Sequence, residues 1–188
     1  MVAASVLAAA CADIVSFAAS HPRSELAVLL LQNTAPPPSG VTFFVSNAHA
    51  TTRTLIHPDA VNNPFLEMTF PQGCLSTVSG RVATPTDSIQ VTIQPVSGTY
   101  GFDFNAPVTF VTGKTPTARF FFASYADFTA SRAGSHYTSA AAYEQALGLW
   151  REEIVDRLSL VIGSGPSGSD VVTGLVQGPG TFYAAALK

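Results

Sequence analysis

Residues 161–168 read Val-Ile-Gly-Ser-Gly-Pro-Ser-Gly, so Gly163, Gly165 and Gly168 follow an apolar run in a G-x-G-x-x-G pattern. In flavin and nicotinamide enzymes such a turn brings backbone N–H groups against a pyrophosphate. It needs a helix opening at the third glycine and an acidic residue about 20 positions further on for the ribose. Here Gly168 is followed by SDVVTGLVQGPG, where β-branched residues and glycines oppose a helix. Nothing after Asp170 is acidic, and little chain follows for a returning parallel strand. The stretch therefore reads as a surface loop between two antiparallel strands, with 158–163 and 170–177 as neighbours. No cofactor is expected.

The other reactive side chains assemble no pattern either. Neither Ser164, in G-S-G, nor Ser167, in P-S-G, sits in the G-x-S-x-G elbow of a hydrolase. His21, His49, His57 and His136 are isolated, with no pair four apart and no H-E-x-x-H, so zinc has no ligand set; each reads as a polar turn residue. Asp59, Asp87, Asp103 and Asp127 form neither a calcium loop nor an acidic cluster. Asp87 in TPTDS reads as a turn former and Asp103 in GFDFN as the polar position of an aromatic strand. Phe43, Phe44, Phe120, Phe121 and Phe122 read as core and subunit contacts, because few basic residues interleave with them as a base-stacking platform requires. No catalytic, cofactor-binding or metal-binding residue is assigned, and the chain is not expected to be an enzyme.

Composition narrows the remaining classes. The 188 residues are 47% hydrophobic but only 11% charged, against roughly 25% for an average soluble domain. A surface so poor in charge must be largely neutral or largely covered by other chains. The net charge is -3, with two lysines (Lys114, Lys188) and seven scattered arginines, so nucleic-acid binding is expected to be weak at most. Cys11 and Cys74 lie far apart in apolar surroundings and read as buried thiols, although a disulfide between them stays possible.

The elements follow from apolar spacing. Ala3, Leu7, Ala10, Ile14 and Phe17 form one helical stripe that ends before His21-Pro22. With no basic residue after Met1 and with Asp13 interrupting the run, this segment reads as a helix rather than a secretion signal or a membrane span. An arm over 1–22 and a single β-domain over 23–188 follow. Strands are expected at 26–32, 41–46, 52–57, 64–70, 74–83, 88–96, 99–104, 107–112 and 118–124, and again in the last thirty or so residues. The clearest has Ile89, Val91 and Ile93 alternating with Gln90, Thr92 and Gln94. The segment DFTASRAGSHYT before residue 139 reads as an exposed polar loop. Tyr143, Leu147, Trp150, Ile154 and Leu158 recur at helical steps, which predicts an amphipathic helix over 139–158 with a Glu153–Arg157 pair.

The fold class expected is mainly β, an antiparallel sandwich of jelly-roll type with an N-terminal helix. In its length, its uncharged strands rich in Pro, Ser and Thr, and its closing segment DRLSLVIGSGPSGSDVVTGLVQGPGTF, the chain resembles the coat proteins of small non-enveloped icosahedral viruses, tymovirus-like ones in particular. The resemblance covers residues 26–183 and is one of pattern and composition. It implies a structural capsid protein located in a virion and partnered by copies of itself. Two other classes share the strands: a carbohydrate- or surface-binding sandwich, secreted or at a cell surface, and a decoration subunit of a larger assembly.

Overall fold

The computed structural model describes residues 19–188. The helix expected before His21, and Cys11 with it, lie outside the described residues. The first half of the described chain supplies β1 (Ser20–Pro22), β2 (Leu26–Val28), β3 (Val41–Ser46), β4 (Thr51–Ile56), β5 (Pro64–Phe70), β6 (Leu75–Val78), β7 (Arg81–Val82) and β8 (Ser88–Pro95). The second half supplies β9 (Gly101–Asn105), β10 (Val108–Phe110), β11 (Thr117–Phe121), β12 (Gly148–Ile154), β13 (Arg157–Leu160), β14 (Gly165–Pro166), β15 (Val171–Leu175) and β16 (Gly180–Leu187). Two short helices, α1 (Phe128–Ser131) and α2 (Ala140–Ala146), lie between β11 and β12. Neither is long and apolar enough to cross a membrane.

The fold is mainly β, as expected, and every strand pairing is antiparallel. One sheet runs β1-β13-β12-β16-β9-β8-β3, with β2 also on β16; a second runs β14-β15-β11-β5-β4; a small third runs β10-β6-β7. Period-two alternation builds the first two. In β8, Ile89, Val91 and Ile93 are buried while Gln90 and Gln94 face out. In β3, Phe43 and Val45 are buried opposite them.

Aromatic rings join the two large sheets. Phe43 of β3 meets Phe70 of β5 edge-on with centroids 5.9 Å apart, and Phe102 of β9 lies 5.6 Å from Phe120 of β11. Phe102 also stacks on Phe182 of β16 at 5.1 Å and 13°, while Phe65 of β5 stacks on Tyr100 at 5.4 Å. Such offset and edge-to-face contacts add about 0.5–1.5 kcal/mol each beyond area burial. Cys74 is buried beside them, and burial pushes its thiol pKa up.

The helix expected over 139–158 is not formed. Ser139 caps a short α2, its Oγ accepting from Ala142 N at 3.1 Å, and the helix stops at Ala146. Residues 148–154 are instead β12, paired with β13 and β16. The reason is burial on both faces: Leu149 joins the inter-sheet core, whereas Trp150 packs with Leu26, Leu158 and Tyr183 on the other face. A strand apolar on both sides lacks clear alternation, and its spacing imitated a helical stripe. Gly148 is needed for close approach, since a Cβ there would lie 2.6 Å from Leu160 Cδ1. With the helix gone, the Glu153–Arg157 pair is replaced. Arg151 approaches Glu153 at 3.9 Å, and Arg157 donates to Ser20 O at 2.7 Å.

The neighbours expected at the glycine turn are also different. Residues 158–163 and 170–177 lie in separate sheets: β13 pairs with β12 and β1, and β15 pairs with β11 and β14. Ser164 Oγ holds the start of the crossing by accepting from Leu149 N at 3.1 Å, and Gly165–Pro166 then folds back on β15. The segment is thus a sheet-to-sheet crossover that ends in a hairpin. The sheet also begins at Ser20, within the segment expected as an arm, with Ser20 opposite Ser159. The polar segment expected as a loop before residue 139 contains α1, capped by Asp127 Oδ1 on Ala130 N at 2.9 Å. Replacing Phe102 with Ala is expected to lower stability by about 3–5 kcal/mol, because the ring is fully buried between both sheets. Urea denaturation by fluorescence and circular dichroism would measure it.

Candidate functional site

Of the four histidines, the structure buries one. His57 was expected as a polar turn residue, but it is 1% exposed. Its Nδ1 lies 2.7 Å from the carbonyl oxygen of Pro36, which can only accept, so Nδ1 carries the proton. Its Nε2 is buried without a partner among the described residues. The ring sits edge-on to Phe65 at 5.5 Å and tilted against Tyr125 at 4.5 Å. Period-two reasoning could not find it, because the signal is the turn that follows. There His57 N donates to Asn63 O at 2.8 Å, and Asp59 gathers four donors.

Those donors are the backbone N–H groups of Val61 (3.0 Å) and Asn63 (3.1 Å), Asn63 Nδ2 (2.8 Å) and the Tyr125 hydroxyl (2.7 Å). The Tyr125 bond is the main reason that the Asp59 carboxyl lies well below the usual carboxylate range, with desolvation opposing it and Asn63 and Val61 assisting. The same bond raises the Tyr125 phenol. A pocket of about 170 Å³ opens beside this turn, walled by His57, Tyr100, Phe121, Tyr125, Asp170 and Val171. Its size suits a single ring. Tyr100 is fully buried, its hydroxyl lacks a partner among the described residues, and burial raises its pKa. Ser124 and Ser169 line the pocket too, yet among the described residues no hydroxyl bonds to His57 Nε2, so these residues pair no nucleophile with a base there.

The remaining candidates are dispersed. Asp87 receives a two-point contact from Arg81, at 2.7 Å on each oxygen, and accepts from Thr84 N, which fits a turn former. Arg81 holds its carboxyl well below the usual range. Asp103 is exposed on β9, where Thr181 Oγ1 donates to it, and Asp127 is a helix cap. His21 bonds Glu25 at 3.0 Å, His136 lies against Tyr137 and His49 is exposed. No group of three or more His, Cys, Asp or Glu gathers among the described residues. Phe43, Phe120 and Phe122 are core residues, whereas Phe44 is 66% exposed.

Phe44 draws attention to the edge strand that carries it. Asn47 N donates to Asp87 O at 2.7 Å, continuing the β3–β8 register one pair further. Bonded pairs alternate along an antiparallel ladder, so Val41, Phe43 and Val45 turn their backbone towards β8. The next ladder agrees: Val96 N donates to Gly101 O, which assigns the even-numbered residues of β8 to β9 and the odd ones to β3. Thr42, Phe44 and Ser46 therefore direct their N–H and C=O groups to the open side of the sheet. The outward side chains there, Thr42, Phe44, Ser46, Ser88, Gln90, Thr92 and Gln94, carry no charge.

Other sheet edges are protected. β1, β2, β7, β10 and β14 have only two or three residues, and β1 and β14 contain proline. β4 is as long as β3, but its register shifts between Leu55 and Ile56 and its Arg53 guanidinium lies over the Phe43 ring at 5.4 Å. Short length, proline, bulges and inward charges are the usual guards against pairing with another chain. Among the described residues, β3 alone is a long edge whose own residues supply none of them, although the Arg53 guanidinium of β4 lies over its Phe43 ring. In comparisons with known proteins, no family model, no curated protein and no solved structure matches the chain.

The Asp59 turn yields a pH expectation. A carboxyl held below its ordinary value in the folded state contributes stability that is present above about pH 4 and is lost as pH falls through the folded value. The wild type should lose stability in acid. Asp59→Asn should be less stable at pH 7 and lose less between pH 7 and pH 3. Urea midpoints at the two pH values test this, and equal losses in both proteins would refute it.

Proposed function

We propose that this chain is a structural subunit that assembles with copies of itself into a closed shell, as coat proteins of small non-enveloped viruses do. The observation that carries this reading is the open edge at β3. Six residues without charge or proline present three N–H and C=O pairs that have no partner among the described residues, and Phe44 is exposed beside them. A monomer gains nothing from such an edge and risks aggregation, whereas a subunit uses it to bind a neighbour.

Composition supports the same reading. With 11% charged residues, the surface suits burial against other subunits better than isolated exposure. The scattered arginines and net charge of -3 leave little for electrostatic capture of a genome, so assembly would depend on contacts between subunits. Many identical contacts, each weak, suffice to close a symmetric shell.

Electron microscopy and light scattering of the purified chain test the proposal. Closed particles of uniform size are expected, and a protein that stays monomeric at high concentration would overturn it. Phe44→Lys should abolish particles. Its thermal unfolding should stay close to wild type, since the side chain is mostly exposed.

A further inference from the structure

Resting on the assembly reading, we propose that β3 pairs antiparallel with β3 of a second copy, about a two-fold axis that passes through the sheet at Phe44. The axis must stand normal to the sheet, so that the buried faces of both copies stay on one side. Residues directly opposite each other must then have matching faces, which restricts symmetric registers to those that pair even with even numbers. The groups available for new bonds belong to Thr42, Phe44 and Ser46. A register that places Phe44 opposite Phe44 sets Thr42 opposite Ser46 on both sides and engages all three residues of each copy. Centring the axis on any other residue of β3 leaves at least one of the three without a partner inside the strand.

Charge favours a second copy as the occupant. An isologous contact brings residues near the axis against their own kind, so a charge there would face a like charge. On the outward face, β3 and the adjoining side chains of β8 are neutral and meet no like charge, while the inner side of the edge carries the Arg53 guanidinium of β4 over the Phe43 ring. On the inner face, the same register sets Phe43 opposite Val45 of the partner, which continues the apolar layer across the boundary. The extent is limited. Six residues span about 20 Å, and pairing them alone buries less than the roughly 1,200 Å² of a stable dimer. The contact should therefore be weak between two free subunits and persistent inside an assembly.

Cysteine cross-linking in a Cys11→Ser background fixes the register, because Cys74 is buried. Opposed residues of a bonded pair lie about 5.5 Å apart at Cα, within the range of about 4.4–6.8 Å that a disulfide spans. Under mild oxidation of the concentrated or assembled protein, Phe44→Cys should give a covalent dimer on a non-reducing gel. Thr42→Cys with Ser46→Cys should do the same. Thr42→Cys alone should not, since its two copies would be about 13 Å apart. Particles without either cross-link would overturn the pairing and leave the shell reading standing. A Phe44→Cys dimer without particles would do the reverse. Hydrogen exchange adds an independent check: the amides of Thr42, Phe44 and Ser46 should exchange fast in dilute monomer and slowly after assembly. Protection already present in the monomer would mean that the chain covers its own edge, and would refute the proposal.

Discussion

The contact on which this fold depends is the interlock of aromatic rings between its two large sheets. Phe102 is its centre, stacked on Phe182 within its own sheet and set against Phe120 of the other. Around it, Phe43, Phe70 and Phe104 close one end of the interior, while Phe65, Tyr100 and Phe120 close the other. Rings of this size leave little tolerance for sliding. The two sheets are thereby held at one spacing, and the edges and turns that carry the candidate sites inherit fixed positions from it.

Close backbone approach completes the packing where rings do not reach. Gly174 of β15 faces Leu149 of β12, and a Cβ at that position would come within 2.7 Å of Leu149 Cβ. The outer face of the first sheet is closed separately. Trp150 donates from Nε1 to Ala185 O at 2.9 Å, His21 meets its ring edge-on, and the Arg23 guanidinium covers Tyr183. The segment from Ser20 onward thus acts as a cover for an apolar sheet face.

Where one face is buried and the other wet, the strands were legible in the sequence. Ile89, Val91 and Ile93 in β8, and the run from Val41 to Ser46, behave in this way. Legibility failed where both faces are covered, because Leu149 and Trp150 are buried in opposite directions and leave no polar position between them. It failed again for contacts between distant segments. Nothing local to His57 announces that the carbonyl of Pro36 will hold its Nδ1, or that Tyr125 will reach Asp59 from 66 residues away. The exposed edge was half legible. The strand itself could be read, but its place at the end of the sheet depends on pairings made far along the chain.

The glycine-rich crossover has one more consequence. Ser164 anchors its start on Leu149 and Gly165–Pro166 pairs with β15, while the turn between β14 and β15 is tied at Ser167 N, which donates to Val171 O at 2.9 Å, and at Asp170 N, which donates to Glu144 Oε1 at 3.0 Å. Gly168 is exposed with φ 87°, and a side chain there would meet nothing within 4 Å. Between those two ties the hairpin would admit a foreign peptide at Gly168, because extra residues lengthen an exposed turn and the β14–β15 pairing keeps its register.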